Sequence, residues 1–302
     1  MTISNSWIHR LNVSARYFII GIFIGLVDLV PGVSGGTLAF AFGIWDRLLH
    51  VVSQILTLLR MLLNLRFRES VILIKSMDWT LVIPTGVGIL CALLLGAVLI
   101  GELLDSQEEV MRAFFFGMVV GGATFPFRSM RHRDSRSLIF FLFGVAVSFV
   151  LAGLPPRELE DPAIWFIFLG AAVSICATIV PGLSGSFVLL IFGLYEVFID
   201  ALRNRDVVVW LAFALGAWVG TLSFAHLIRW LLNKYRDLVI ATLLGLMLGG
   251  LRALWPWLGS NRELEWVSDY SELTLPLVWA VVGLGFSLLL TRLPRADEEK
   301  DV

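Results

Sequence analysis

The stretch Asp28–Thr37 reads DLVPGVSGGT and lies inside an apolar run. Lipid asks for an unbroken helix there, because no water is present to satisfy free backbone groups. Pro31 lacks an N–H and restricts the residue before it, so a helix arriving at this point ends. A second stretch, Thr178–Ser186, reads TIVPGLSGS in an equally apolar run. Any fold for this chain has to accommodate both breaks. That these are membrane runs follows from composition: 58% of the 302 residues are hydrophobic and mean hydropathy is +0.87. A soluble domain has no surface to absorb so much apolar side chain. The sequence predicts an all-α polytopic membrane protein.

The two breaks belong to an internal repeat. VPGVSGGTLAFAFGIWD, Val30–Asp46, aligns without gaps on VPGLSGSFVLLIFGLYE, Val180–Glu196. Two weaker pairs follow in the same order: Phe115–Gly122 with Leu243–Gly250, then Phe143–Pro155 with Val282–Pro294. The long segments 79–101 and 207–228 occupy matching places between the first and second pairs. Each half therefore reads as a broken-helix hairpin followed by three spans. Repeat 1 covers 17–155, with a hairpin at about 17–63 and spans at 79–101, 111–127 and 137–154. Repeat 2 covers 163–294, with a hairpin at about 163–202 and spans at 207–228, 238–256 and 274–292.

Lys and Arg orient these segments. If each broken unit is re-entrant and returns to its starting side, 17 of the 23 basic residues share one side with both termini. Treating the first unit as a plain crossing places the Arg-rich 60–75 segment on the other side, and the bias largely vanishes. Three spans per half is an odd number, so the halves are expected to be inverted-topology repeats, as in many secondary transporters. Both termini are then cytoplasmic.

Such a break is also a chemical opportunity. Gly32, Gly35, Gly36, Gly182 and Gly185 permit a tight turn after Pro31 and Pro181, and the helices that restart there point free N–H groups into the protein. Ser34, Thr37, Ser184 and Ser186 add hydroxyls. The constellation suits an anion, although the same residues also serve as caps and close-packing positions. Asp28 is a carboxylate at membrane depth, which costs at least ~2.5 kcal/mol on insertion scales. It either carries a proton or caps the following turn; its counterpart is Thr178. Arg112 and Arg252, near the outer ends of spans, either meet an arriving phosphate or snorkel to headgroups. Cys91 and Cys176 lie in separate apolar segments without a CxxC or His partner, so neither a metal nor a cofactor is expected. The four His form no recognisable motif with an acid, which argues against an enzyme.

DLVPGVSGGT followed by GIWDRLL, with VPGLSGS followed by GLYE, resembles the bacterial polyprenyl-phosphate transporter family. The resemblance covers nearly the whole chain; Trp45 stands where the family usually shows Tyr. It implies a flippase of the bacterial inner membrane that returns undecaprenyl phosphate from the outer to the cytoplasmic leaflet for envelope synthesis. It also implies headgroup contacts at Asp28, Pro31–Thr37 and Pro181–Ser186. The expected partners are a polyprenyl phosphate, membrane lipids and protons, with no nucleic acid; a homo-oligomer is left open. A small-anion transporter or channel is the rival that the residues alone allow.

Overall fold

The computed structural model describes residues 3–28, 34–99, 107–259, 261–267 and 270–292. Pro31 and Gly32 lie outside the described residues, as does the start of the loop after the first span. The described chain is helical apart from connecting segments and one isolated bridge between Leu258 and Leu264.

Helix α1 (Ile3–Asp28) runs to the first break. The seven-residue α2 (Gly35–Ala41) restarts after it, and the amphipathic α3 (Trp45–Leu63) follows. Gly43, with φ of 73°, makes the turn between them; the left-handed backbone there favours glycine. Helix α4 (Phe67–Ser76) meets α5 (Trp79–Leu99) at 80°. Next come α6 (Glu108–Gly122), the short α7 (Thr124–Ser129) and α8 (Ser135–Ala152). The second half repeats the opening pattern. Helix α9 (Ile164–Ile179) precedes the second break, and the seven-residue α10 (Gly185–Ile191) follows it. Gly193, φ 70°, then turns the chain by 101° into α11 (Tyr195–Asn204). Helix α12 (Val207–Gly249) leads through a 3-10 turn (Gly250–Leu254) and a looped segment to α13 (Thr274–Arg292).

The spans expected at 207–228 and 238–256 are joined differently from the sequence reading. The charged stretch between them is helical rather than a loop, and only Tyr235, at φ −135° and ψ 44°, departs from helix. A straight helix of that length would run about 65 Å, roughly twice the hydrocarbon core. The direction therefore has to change at Tyr235. Asp237, just past the kink, accepts the amides of Arg131 (3.0 Å) and His132 (2.9 Å), which holds the kink level with the loop between α7 and α8. Among the described residues four helices are long and apolar enough to cross a membrane, and up to six if each bent pair counts as one. The chain is a polytopic helical membrane protein.

Four helix pairs carry the packing, and glycines set their approach. Gly21 faces Thr85 and Gly25 faces Ile89 and Ala92, so α1 and α5 run parallel. Gly216 faces Phe168 and Gly220 faces Ala172, so α9 and α12 do the same. Gly117 lies on Ala280 and Gly121 on Leu284, pairing α6 with α13; Gly245 lies on Phe141 and Gly249 on Val145, pairing α12 with α8. Parallel α1 and α5 require that α2–α4 bring the chain back to the side from which it set out. The same argument applies to α10 and α11. The largest buried cluster lies around the first break and includes Tyr17, Leu38, Phe42, Phe115, Met118 and Met247. A smaller one joins Ile167, Ala171, Leu194 and Phe213 in the second half.

A Cβ on Gly245 would fall 2.1 Å from the Phe141 carbonyl oxygen, whereas one on Gly285 meets nothing within 4 Å. Gly245→Val is expected to lower stability by about 1–3 kcal/mol, the usual cost of overpacking, and Gly285→Ala to leave it unchanged. Thermal unfolding in detergent distinguishes them; equal midpoints would remove close helix approach as the packing principle.

Candidate functional site

The two breaks meet each other. Ser34 caps α2 by accepting the Gly36 amide at 3.2 Å, and its hydroxyl donates to the Thr178 carbonyl at 3.3 Å in the other half. Thr37 Oγ1 accepts the Gly182 amide at 2.9 Å. Trp45 Nε1 donates to the Ile179 carbonyl at 2.8 Å. Backbone groups freed by the second break are thus satisfied by side chains that follow the first, as a break at membrane depth requires.

Each break is also braced within its own half. Asp28 ends α1, and its Oδ1 accepts the Gly35 amide at 2.6 Å. In the second half Thr178 takes that place and bonds back to the Ser174 carbonyl at 3.1 Å. Ser174 Oγ donates to the Gly185 carbonyl at 2.8 Å, and Ser184 caps α10 through the Phe187 amide at 3.4 Å and meets the Ser186 hydroxyl at 3.0 Å. Pro181 ends the bonded run of α9, and Gly182 follows at φ 87°. A Cβ there would sit 2.2 Å from the Leu246 carbonyl, so both conformation and space demand glycine. The Gly182 carbonyl accepts from Ser148 Oγ of α8 at 2.8 Å. Ser287 is the repeat counterpart of Ser148; it is fully buried and its hydroxyl has no partner.

The amides of Gly35, Gly36, Gly182 and Phe187 are therefore taken from within the protein. The space beside Thr37, Gly182, Met247 and Gly250 is about 10 Å³. That volume is at the lower limit for a single water, so no phosphate fits in the described space beside Thr37 and Gly182.

Larger space lies to one side. A cleft of about 710 Å³ opens between α6, α8 and the second part of α12, lined by Val120, Phe127, Leu138, Phe141, Leu244 and Leu248. Arg133, Asp134, Ser135 and Ser137 give it a polar end. Asp134 caps α8 through the amide and hydroxyl of Ser137, and those two bonds hold its carboxyl below the usual range.

At the other end stand the two arginines singled out from sequence, and a third that was not. Arg112 pairs with Glu108 one turn earlier on α6. Arg252 donates to the Phe149 carbonyl at 3.3 Å and the Arg262 carbonyl at 3.1 Å, with its guanidinium 4.7 Å over the Phe149 ring. Arg262, in the segment between the 3-10 turn and α13, is only 9% exposed. Its Nε donates to the Ala152 carbonyl at 2.8 Å, and the guanidinium lies 4.1 Å over the Phe187 ring. Nothing in the acid-rich run NRELEW marks it out in advance; only folding turns it inward.

Two interlocked helix breaks in a polytopic bundle, with arginines at one end and an apolar cleft toward the other, define a membrane protein of the transporter class. Residues 24–271 match the VCA0040-like family, described as undecaprenyl phosphate translocase-like, and the chain belongs to that family. Among curated proteins it is 33% identical to a polyprenyl-phosphate transporter of Vibrio cholerae serotype O1 over 258 residues, 85% of this chain and 82% of the relative. It is 27% identical to a polyprenyl-phosphate transporter of Staphylococcus aureus over 296 residues, 92% of this chain and 96% of the relative. No solved structure matches. The family is one of transporters and not of enzymes.

Thr37→Val keeps the shape of the side chain and leaves the Gly182 amide without its acceptor. The expected cost is about 1–3 kcal/mol, with Thr37→Ser close to wild type. Thermal unfolding of the two variants checks this; a Val variant as stable as the Ser variant would show that the bond between the breaks contributes nothing.

Proposed function

We propose that the protein is a flippase returning undecaprenyl phosphate, or a closely related polyprenyl phosphate, from the outer to the cytoplasmic leaflet for reuse in envelope synthesis. The observation that carries this reading is the matched packing of the two halves around the joined breaks. Gly117 on Ala280 corresponds to Gly245 on Phe141, Gly121 on Leu284 to Gly249 on Val145, and Gly283 on Phe114 to Gly144 on Thr242. Every member of these pairs is related to its partner by the sequence repeat. The parallel pairs α1–α5 and α9–α12 correspond in the same way. Such a pattern supports two inverted-topology repeats, 17–155 and 163–294, each a re-entrant hairpin with three spans, that rock about their shared centre.

The halves differ in a way that suits one stage of such a cycle. The cleft beside Thr124 and Phe127 is open, and it lies next to the basic loop Arg128–Arg136 that the charge bias assigns to the cytoplasm. The positions that correspond to Thr124 and Phe127 are Arg252 and Trp255. There Trp255 packs on Phe116 at 6.4 Å and stacks on Trp266 at 5.8 Å, closing the equivalent place. The open cleft offers an apolar wall for an isoprenoid tail, with the phosphate at its polar end. Family membership and the names of both relatives support a polyprenyl phosphate as cargo.

The headgroup passes the breaks at Asp28, Pro31, Gly32, Ser34–Thr37 and Pro181–Ser186 as the halves part. Asp28 couples the step to protons. Its carboxylate holds the Gly35 amide, which is the donor a phosphate oxygen would take. An ionised Asp28 and an arriving anion therefore exclude each other, and protonation of Asp28 releases the amide.

Leaflet-resolved transfer of undecaprenyl phosphate in proteoliposomes tests this, with wild type and Asp28→Asn compared under two opposed pH gradients. Wild type is expected to move the lipid at a rate that follows the gradient, and Asp28→Asn to lose that dependence. Transfer no faster than in empty liposomes, with small anions leaking through, would replace the flippase by an ion path.

A further inference from the structure

We propose that Arg112, Arg252 and Arg262 form a receptor for a phosphate monoester at the end of the molecule opposite the open cleft, where the cargo is first held. This assignment rests on the flippase reading and adds to it the group that selects the headgroup. The three guanidinium groups come from separate parts of the chain: α6, the 3-10 turn after α12, and the segment before α13. Each keeps a buried N–H without an acceptor: Nε of Arg112, Nε of Arg252 and one terminal nitrogen of Arg262. Among the described ion pairs neither Arg252 nor Arg262 has a carboxylate, and the Glu108 that pairs with Arg112 is half exposed.

An unoccupied arrangement of this kind is costly. Burial first, and then the like charges of Arg112 and Arg252, bring the Arg262 guanidinium down to about 10. Arg262 also holds a left-handed backbone, φ 65°, unusual for a residue with a side chain. Buried unpaired donors and clustered positive charge at one place are both relieved by one ligand, a compact dianion with several acceptor oxygens. Planar guanidinium forks match a phosphate better than ammonium groups would.

Position links the cluster to the transport path. Arg262 stacks on Phe187, the residue directly after Ser186 in the second break, and Arg252 lies against Gly153, which caps the end of α8, the helix whose Ser148 holds the Gly182 carbonyl. A phosphate held on Arg262 is therefore next to α10, the helix that restarts after the second break. Trp255, Trp257 and Trp266 pack together in the same segment and provide a local signal.

The full chain in phosphatidylcholine nanodiscs is titrated with farnesyl phosphate, farnesol and inorganic phosphate while tryptophan fluorescence is followed. Farnesyl phosphate is expected to give a saturable change and farnesol none. Arg262→Gln and Arg112→Gln are each expected to weaken farnesyl phosphate roughly tenfold or more, with Arg262→Lys between. Arg112→Gln serves as the deciding variant if Arg262→Gln fails to fold, since Arg112 lies on the face of an intact helix. Unchanged affinity in folded Arg112→Gln, or farnesol binding as tightly as farnesyl phosphate, overturns the receptor. Inorganic phosphate as tight as farnesyl phosphate keeps the receptor and removes the lipid as its preferred cargo. Arginine-dependent binding without lipid transfer in proteoliposomes keeps the receptor and sinks the flippase.

Discussion

A broken backbone inside a bilayer has to find its hydrogen-bond partners in protein, and here the second break finds them in side chains that follow the first. Thr37 takes the Gly182 amide, Ser34 reaches the Thr178 carbonyl, and Trp45 reaches the Ile179 carbonyl. The second break does not find these partners within its own half. The two halves are therefore tied at their most polar points, and the spans around them are arranged so that this meeting is possible. Four parallel helix pairs hold it in place at glycine-to-carbonyl distance. In lipid the apolar effect does little to draw helices together, so close backbone approach is what remains to bind them.

The repeat makes departures from equivalence informative. Asp28 stands where Thr178 stands in the other half: the Asp28 carboxylate accepts an amide of its restarted helix, whereas the Thr178 hydroxyl turns back to the Ser174 carbonyl of its own helix. Ser148 is bonded to the second break while its counterpart Ser287 is buried without a partner. A cleft is open beside Phe127, and the corresponding Trp255 is packed into an aromatic cluster. On the proposed reading of two inverted repeats, equivalent halves in unequal states are one stage of an alternating cycle.

The proposed cargo fits these parts for a physical reason. A polyprenyl phosphate is a long apolar chain with one doubly charged end. The tail has only to stay in lipid or in an apolar cleft, and the whole barrier belongs to the headgroup. Arginines with unpaired buried donors at one end, exchangeable amides at the centre and a polar-ended cleft toward the other divide that barrier into shorter steps.

Much of this was legible in the sequence because it is local or periodic. Pro31 and Pro181 announce breaks whatever surrounds them, and the ungapped alignment of Val30–Asp46 on Val180–Glu196 pairs Gly43 with Gly193, where the structure turns at φ 73° and 70°. The charge bias that sorted the loops is likewise a property of the chain alone. Other features depended on distance in space. Sequence periodicity gave no means to distinguish a charged loop at Arg229–Arg236 from a helix that bends at Tyr235, since a single residue leaving the helix makes the difference. Nor did it show that the Gly182 amide was already occupied, because Thr37 and Gly182 are 145 residues apart. Arg262 looked like any surface arginine among acids, and it is buried only because its segment folds back on α8 and α10. The sequence by itself determined where the backbone must break and which faces must be small. Tertiary structure alone decided which groups fill the breaks and which charges are left unpaired, because both depend on what distant segments bring to the same place.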